Sequence, residues 1–245
     1  MHELSVEIAE EILRVRCRYD PVANSFAEYK TEKEGGKTFF AEDSDLTDMK
    51  RDFARMDEQR GNAPVWRSRS NYELQALHKL IAEDFVGRGL LLVHGSAVVA
   101  DGKAYLFIAP SGTGKSTHTS LWCSLPGVNA VVINDDKQLM RPTAEGVFVY
   151  PTPWGCAKKP DIPKAKLEAL VVLTRGDETV LSPVTDREIF LPFYKASLRG
   201  NTPEQAKKIL ELQQKIMNGA RLYKMRCTPT PEAAQIAYRT LVLNS

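Results

Sequence analysis

Ala109-Pro110-Ser111-Gly112-Thr113-Gly114-Lys115-Ser116-Thr117 is the stretch from which the rest of the chain is read. It meets the phosphate-loop pattern G-x-x-x-x-G-K-[ST] at every position but the first, where Ala109 replaces glycine. The chemistry survives that departure. Gly112 and Gly114 can take backbone angles closed to other residues. Successive N–H groups then turn inward as an anion-binding nest. The residues after Lys115 open a helix, whose N-terminus adds free N–H groups and partial positive charge. Ala104 to Ala109, all apolar or small, lead in as a strand. Ser111, Gly112, Thr113, Gly114, Lys115, Ser116 and Thr117 are therefore the expected nucleotide contacts. Lys115 would bridge the outer phosphates, Thr117 would meet the α-phosphate, and the Ser116 hydroxyl would hold Mg²⁺.

Leu90 to Val93 is a continuous apolar run, as a buried strand requires. His94-Gly95-Ser96-Ala97-Val98 follows, and Asp101-Gly102 is a hairpin signal. The strand entering the loop thus has an antiparallel partner. This predicts an α/β fold with a mixed, largely antiparallel sheet, unlike the parallel sheets fed by helical crossovers. Further on, Asp135 and Asp136 follow the strand-like run Val131-Val132-Ile133. Two carboxylates aimed at a phosphate loop suit phosphoryl transfer: one holds Mg²⁺, the other accepts the proton of an incoming hydroxyl. Adjacent strand residues point to opposite faces, so a turn must intervene for both to reach the phosphates. On the residues alone the two roles are interchangeable. His118, in the first turn after the loop, either touches the nucleotide or caps the helix.

The remaining chain reads as support. The 245 residues suffice for one large domain or two modest ones. With 33 basic and 31 acidic side chains, nothing argues for electrostatic binding to nucleic acid or membranes. No apolar run approaches a membrane span, and the start of the chain lacks the features of a signal peptide. The four cysteines form no C-x-x-C pair, so zinc and disulfide frameworks are not expected and a cytoplasmic setting is. Ser5 to Ala9 and Leu13 to Tyr19 alternate as paired strands, with Arg14, Arg16 and Arg18 read as a solvated face. Helices are expected from Asp20-Pro21, over Thr47 to Gln59 and over Tyr72 to Gly87. Residues 1–70 therefore read as a small β-rich module and residues 71–245 as the nucleotide-binding domain. In the latter, Leu167 to Leu173 and Tyr223 to Cys227 read as strands. Helices are expected from Thr185 to Leu198, from Thr202 with Ala206, Ile209, Leu210, Leu212 and Ile216 inward, and over Pro231 to Leu243. Arg199, at a helix end, is a candidate to stabilise a transferring phosphoryl group, with a helix-dipole role as the alternative.

Four blocks carry a family resemblance: His94 to Val98, Ala109 to Thr119, Asn134 to Lys137, and Thr152-Pro153-Trp154-Gly155. Together they resemble HPr kinase/phosphorylase, and most closely a group of short HPr-kinase-like proteins. Their nucleotide core is similar to that of ATP-dependent phosphoenolpyruvate carboxykinase. The resemblance covers about two-thirds of the chain and is specific for the fold rather than the substrate. It implies an ATP- and Mg²⁺-dependent phosphotransferase acting on a hydroxyl, such as a serine of a small protein or peptide. It implies Asp135 as the base, Asp136 with Ser116 as metal partners, and His94 assisting near the terminal phosphate. It also places the Thr152 to Gly155 block against the site, which makes Lys158 and Lys159 candidate substrate contacts. HPr kinases assemble as homo-oligomers. A small-molecule hydroxyl is the alternative acceptor. The reading from a different class is a non-catalytic nucleotide-binding accessory or regulatory protein.

Overall fold

The computed structural model describes residues 1–59, 61–155 and 159–244. Its contacts divide the chain into two compact units, Met1–Asp84 and Phe85–Ser245. The sequence reading divides at residue 70, ahead of a helix; the contact division falls inside that helix.

In the first unit, β1 (His2–Ile8) and β2 (Glu11–Cys17) form an antiparallel hairpin with Ile8 opposite Glu11. Its two turn residues, Ala9 and Glu10, have φ of 53° and 66°, as a type I′ turn requires. Val6, Ile8, Leu13, Val15 and Cys17 are fully buried on one face. Then come α1 (Asp20–Ser25), with proline in its first turn, and β3 (Lys37–Phe39), which adds to β2 in parallel. The unit continues through α2 (Asp43–Gln59) into α3 (Arg69–Gly87). The three strands make a separate sheet in the order β1-β2-β3. The arginine row differs from expectation. Arg14 and Arg16 are exposed, but Arg18 is drawn inward. Its Nη1 donates to Glu73 Oε1 at 2.9 Å, and its backbone N–H donates to the same carboxylate. Glu73 is wholly buried, and a buried carboxylate must be paired.

The second unit runs β4 (Leu91–His94), β5 (Ser96–Ala100), β6 (Lys103–Ile108), α4 (Lys115–Cys123), β7 (Ala130–Asn134), β8 (Lys137–Thr143), β9 (Gly146–Tyr150) and β10 (Ala165–Arg175). It ends with β11 (Val180–Pro183), α5 (Asp186–Ala196), α6 (Pro203–Asn218), β12 (Arg221–Cys227) and α7 (Pro231–Tyr238). Among the described residues these strands make one nine-stranded sheet, in the order β4-β8-β9-β10-β6-β5-β7, with β12 beside β10 and β11 beside β12. The sheet is mixed, as the Asp101-Gly102 hairpin predicts. β6 is antiparallel to β5 but parallel to β10, and β10 is parallel to β12; the other pairings are antiparallel.

Alternation along β6 feeds two cores. Ala104, Leu106 and Ile108 join Ile189 and Phe193 of α5 and Ile209, Leu212 and Ile216 of α6 on one face. Tyr105 and Phe107 join Trp122 of α4 and Ala233, Ala234 and Ala237 of α7 on the other. Burial on both faces explains why these strands read as unbroken apolar runs. Trp122 alone removes roughly 200 Å² from water, roughly 5 kcal/mol of transfer free energy.

Three expectations change. Leu210 is 42% exposed, and Gln213 takes a buried position on α6 instead. The helix capped by Thr185 ends at Ala196, two residues early. The closing helix widens to a π-helix over Arg239–Leu243.

Candidate functional site

β6 delivers the loop, and α4 starts at Lys115 with Gly114 as its N-cap. Gly112 and Gly114 have φ of 77° and 110°, the left-handed region that favours glycine. Ser111, Gly112, Ser116 and Thr117 are exposed, while Lys115 is buried. The lysine folds back along the loop. Its Nζ donates to Ala109 O at 2.9 Å and to Pro110 O at 3.3 Å. Burial pushes its pKa down, against the opposing influence of the Asp136 and Asp135 charges. Arg175, at the end of β10, donates to Gly112 O and braces the loop from the neighbouring strand.

The acidic pair occupies a break in a long antiparallel ribbon. β4 pairs with β8 up to His94 opposite Lys137, and β5 pairs with β7 from Ala97 opposite Asn134. Continuing that register across the gap sets Gly95 opposite Asp136 and Ser96 opposite Asp135. Hydrogen bonds agree. Gly95 N–H donates to Asp136 O at 2.9 Å, and Ser96 Oγ donates to Asp135 Oδ1 at 2.7 Å. Asp135 and Asp136 thus lie in the two-residue link between β7 and β8, outside any strand. This is the turn that the sequence reading requires if both carboxylates are to reach one ligand.

Buried amides hold the break in place. Gln138 Nε2 donates to Gly95 O at 2.7 Å, and Asn134 Nδ2 donates to Thr152 Oγ1 at 2.7 Å and Lys137 O at 2.9 Å. Gly155 packs against this knot so closely that a Cβ there would stand 1.6 Å from Asn134 Oδ1.

The two carboxylates have different partners. Asp136 Oδ1 lies 2.8 Å from His94 Nδ1, and its Oδ2 lies 3.4 Å from Lys137 Nζ. Burial works against its ionisation, but the His94 hydrogen bond and the Lys137 charge outweigh it and hold the carboxyl below its usual value. Asp135 Oδ1 takes the Ser96 hydroxyl, which in turn lies 2.6 Å from Thr119 Oγ1 on α4.

A cleft of about 330 Å³ is lined by His94, Ser111, Gly112, Gly114, Lys115, Ser116, Thr117, Asp135 and Asp136. The loop, both acids and the histidine named from sequence are therefore brought together, with Thr113 within the same loop. Larger clefts lie elsewhere among the described residues. One, of about 550 Å³, is formed by the β8–β9 hairpin and the end of α6; another, of about 450 Å³, is in the first unit around Trp66 and Arg69. Neither contains a loop of this kind.

Other candidates fall differently. Lys158, like Cys156, lies outside the described residues, and Lys159 is not among those lining the cleft. Arg199 is not there either. Ser197 bridges Val93 in antiparallel sense and Leu198 N–H donates to Leu92 O, so the chain runs away from His94 as it reaches Arg199. His118 neither caps α4 nor lines the cleft. It is wholly buried against Phe107, with Nε2 accepting from Trp122 Nε1 at 3.3 Å. Burial pushes its pKa down to about 4.

Sequence reasoning assigned nothing to Ser96, Thr119, Lys137 or Arg175. The first three stand inside quoted motif blocks, so their positions were visible but their partners were not. Among the described residues no three or more His, Cys, Asp or Glu side chains gather to hold a metal ion. A cation in this cleft would draw its remaining oxygen ligands from phosphate and water. No helix among the described residues is long and apolar enough to cross a membrane.

No protein-family model and no curated protein matches the chain. Among solved structures it is distantly similar to the Hpr(Ser) kinase/phosphatase from Coxiella burnetii. The two are 12% identical, the match covers 62% of this chain and 94% of that one, and the TM-score is 0.33. A likeness of that size carries no argument about chemistry, so the cleft is read from its own residues.

Proposed function

We propose that this chain is an ATP- and Mg²⁺-dependent phosphotransferase with an HPr-kinase-like phosphate-loop core, acting on a hydroxyl such as a serine of a small protein or peptide. The observation that carries the reading is the single cleft lined by the glycine loop, Lys115, both aspartates and His94. Loop amides and Lys115 bind the nucleotide phosphates. Ser116 and Asp136 are the residues that would hold Mg²⁺, which supplies charge neutralisation at the outer phosphates when bound. They fit that task, because the Ser116 hydroxyl is exposed in the cleft and Asp136 is kept ionised by its neighbours.

Asp135 is the proton acceptor. Both Asp136 oxygens stand beside basic side chains, His94 and Lys137, whereas Asp135 meets a neutral hydroxyl through Oδ1, which favours Asp135 as the acceptor. The acceptor hydroxyl gives its proton to Asp135 as its oxygen bonds to the γ-phosphorus. The bond from that phosphorus to the β–γ bridging oxygen breaks, and ADP leaves with the electron pair. His94 holds Asp136 in place through Nδ1.

Transfer of labelled γ-phosphate to serine peptides and polyols tests the proposal. Asp135→Asn should lower transfer by roughly 10²–10⁴-fold while nucleotide binding survives. Undiminished transfer in that variant overturns Asp135 as the base, and nucleotide binding without transfer to any acceptor by the wild type overturns the enzyme reading in favour of a binding protein.

A further inference from the structure

Ser96 and Thr119 are both fully buried, yet their hydroxyls meet at 2.6 Å and end on a residue of the cleft. They join three separate segments: β5, α4 and the β7–β8 link. The direction of the chain follows from the donors available. Asp135 Oδ1 accepts at 2.7 Å, so the single Ser96 hydrogen is spent there. The 2.6 Å contact then needs the Thr119 hydrogen. The carbonyls of Lys115 and Ser116, at 3.3 Å and 3.2 Å, are left as poorer alternatives for Thr119. Among the described residues the Ser96 hydroxyl is the side-chain donor to the Asp135 carboxylate, and it engages Oδ1.

We propose that Ser96 and Thr119 are positioning residues, a two-hydroxyl tether that fixes the side-chain conformation of Asp135 relative to the first turns of α4. α4 also carries Lys115 and Ser116. The tether therefore sets the distance between the acidic link and the phosphate loop, which are otherwise joined across the sheet through β6, β5 and β7 and along the chain through α4 and β7. This inference rests on the phosphotransferase reading for its consequence in rate, but not for its structural content.

Crystal structures and kinetics of Ser96→Ala, Thr119→Val and Thr119→Ser test it. In Ser96→Ala crystals the Asp135 carboxylate should leave its wild-type position or split between conformers. The kcat for phosphoryl transfer should fall roughly tenfold, with KM for ATP changed by less than about twofold. Thr119→Val should show a smaller loss, which Thr119→Ser recovers in part. Ser96→Ala added to Asp135→Asn should cost nothing further, since the tether acts only through that carboxylate. An unmoved Asp135 in Ser96→Ala, a fall in kcat matched by a rise in KM, or additive losses in the double variant would each overturn the tether. Wild-type protein that transfers no phosphate would overturn the proposed function alone, because the Asp135 conformation is still read from the crystals.

Discussion

His94 Nδ1 and Asp136 Oδ1 lie 2.8 Å apart, so the histidine serves the second aspartate and not the first. The two acids thereby acquire separate anchors, His94 with Lys137 for Asp136 and the Ser96 hydroxyl for Asp135. Identical side chains one residue apart are differentiated by what stands across the broken ribbon.

Removing the histidine should affect rate more than stability. The His94 and Asp136 side chains are 41% and 42% exposed, and exposed pairs contribute roughly 0.2–1 kcal/mol. His94→Ala should thus leave the unfolding free energy within about 1 kcal/mol of wild type. Phosphoryl transfer should fall roughly tenfold or more as Asp136 loses its orienting donor. His94→Asn, which keeps an N–H donor, should recover part of it. A large loss of stability with unchanged transfer would assign His94 a purely structural role.

His118 should make the second unit acid-sensitive. Its pKa falls from an ordinary 6.5 to about 4 because burial disfavours the charged ring. Between those values the unfolded chain binds a proton that the folded chain does not, so stability is full above pH 6.5 and declines as pH falls toward 4. At about 1.36 kcal/mol per pH unit, the loss across this window is roughly 3 kcal/mol. Urea unfolding at a series of pH values measures it. His118→Gln should flatten the decline by that amount, and an equal slope in the variant would show that another group is responsible.

Gly155→Ala should strain the acidic link. The added Cβ would meet Asn134 Oδ1 at 1.6 Å and Asp136 N at 3.0 Å. Overpacking of this kind costs roughly 1–3 kcal/mol, which thermal denaturation can read. Since Asn134 anchors the link carrying both aspartates, transfer should drop as well. A variant with wild-type melting temperature and rate would show that the link yields freely.

In the first unit, Glu73→Ala should be the costly change. It strips the acceptor from the Arg18 backbone N–H and takes the nearer carboxylate from its guanidinium, leaving Asp43 at 3.7 Å and the Ala41 carbonyl at 2.7 Å as its partners. Losing hydrogen bonds to a charged group costs roughly 1.5–3 kcal/mol. Glu73→Gln keeps an acceptor and should fall between the two. Denaturant unfolding decides, and a loss below about 1 kcal/mol would place the pair in the class of exposed bridges.

Local pattern carried much of this architecture. The hairpins at Ala9-Glu10 and Asp101-Gly102, the loop from Ala109, the helix cap at Thr185 and the strands buried on both faces are short-range facts of periodicity and backbone angle. Such features are legible because each depends on residues within a few positions of one another. The chain alone also marked His94, Lys115, Asp135 and Asp136 as a set, and they do line one cleft. What it could not assign was which partner each would take. Arg18 looked solvent-facing until Glu73, 55 residues away, closed over it. Ser96, the first residue of β5, had no assigned partner until the ribbon register set it against Asp135 and packed it on Thr119. These pairings are set by the order of strands in the sheet and by the burial it imposes. Only when the chain is folded does an unpaired polar group become costly enough to select its neighbour.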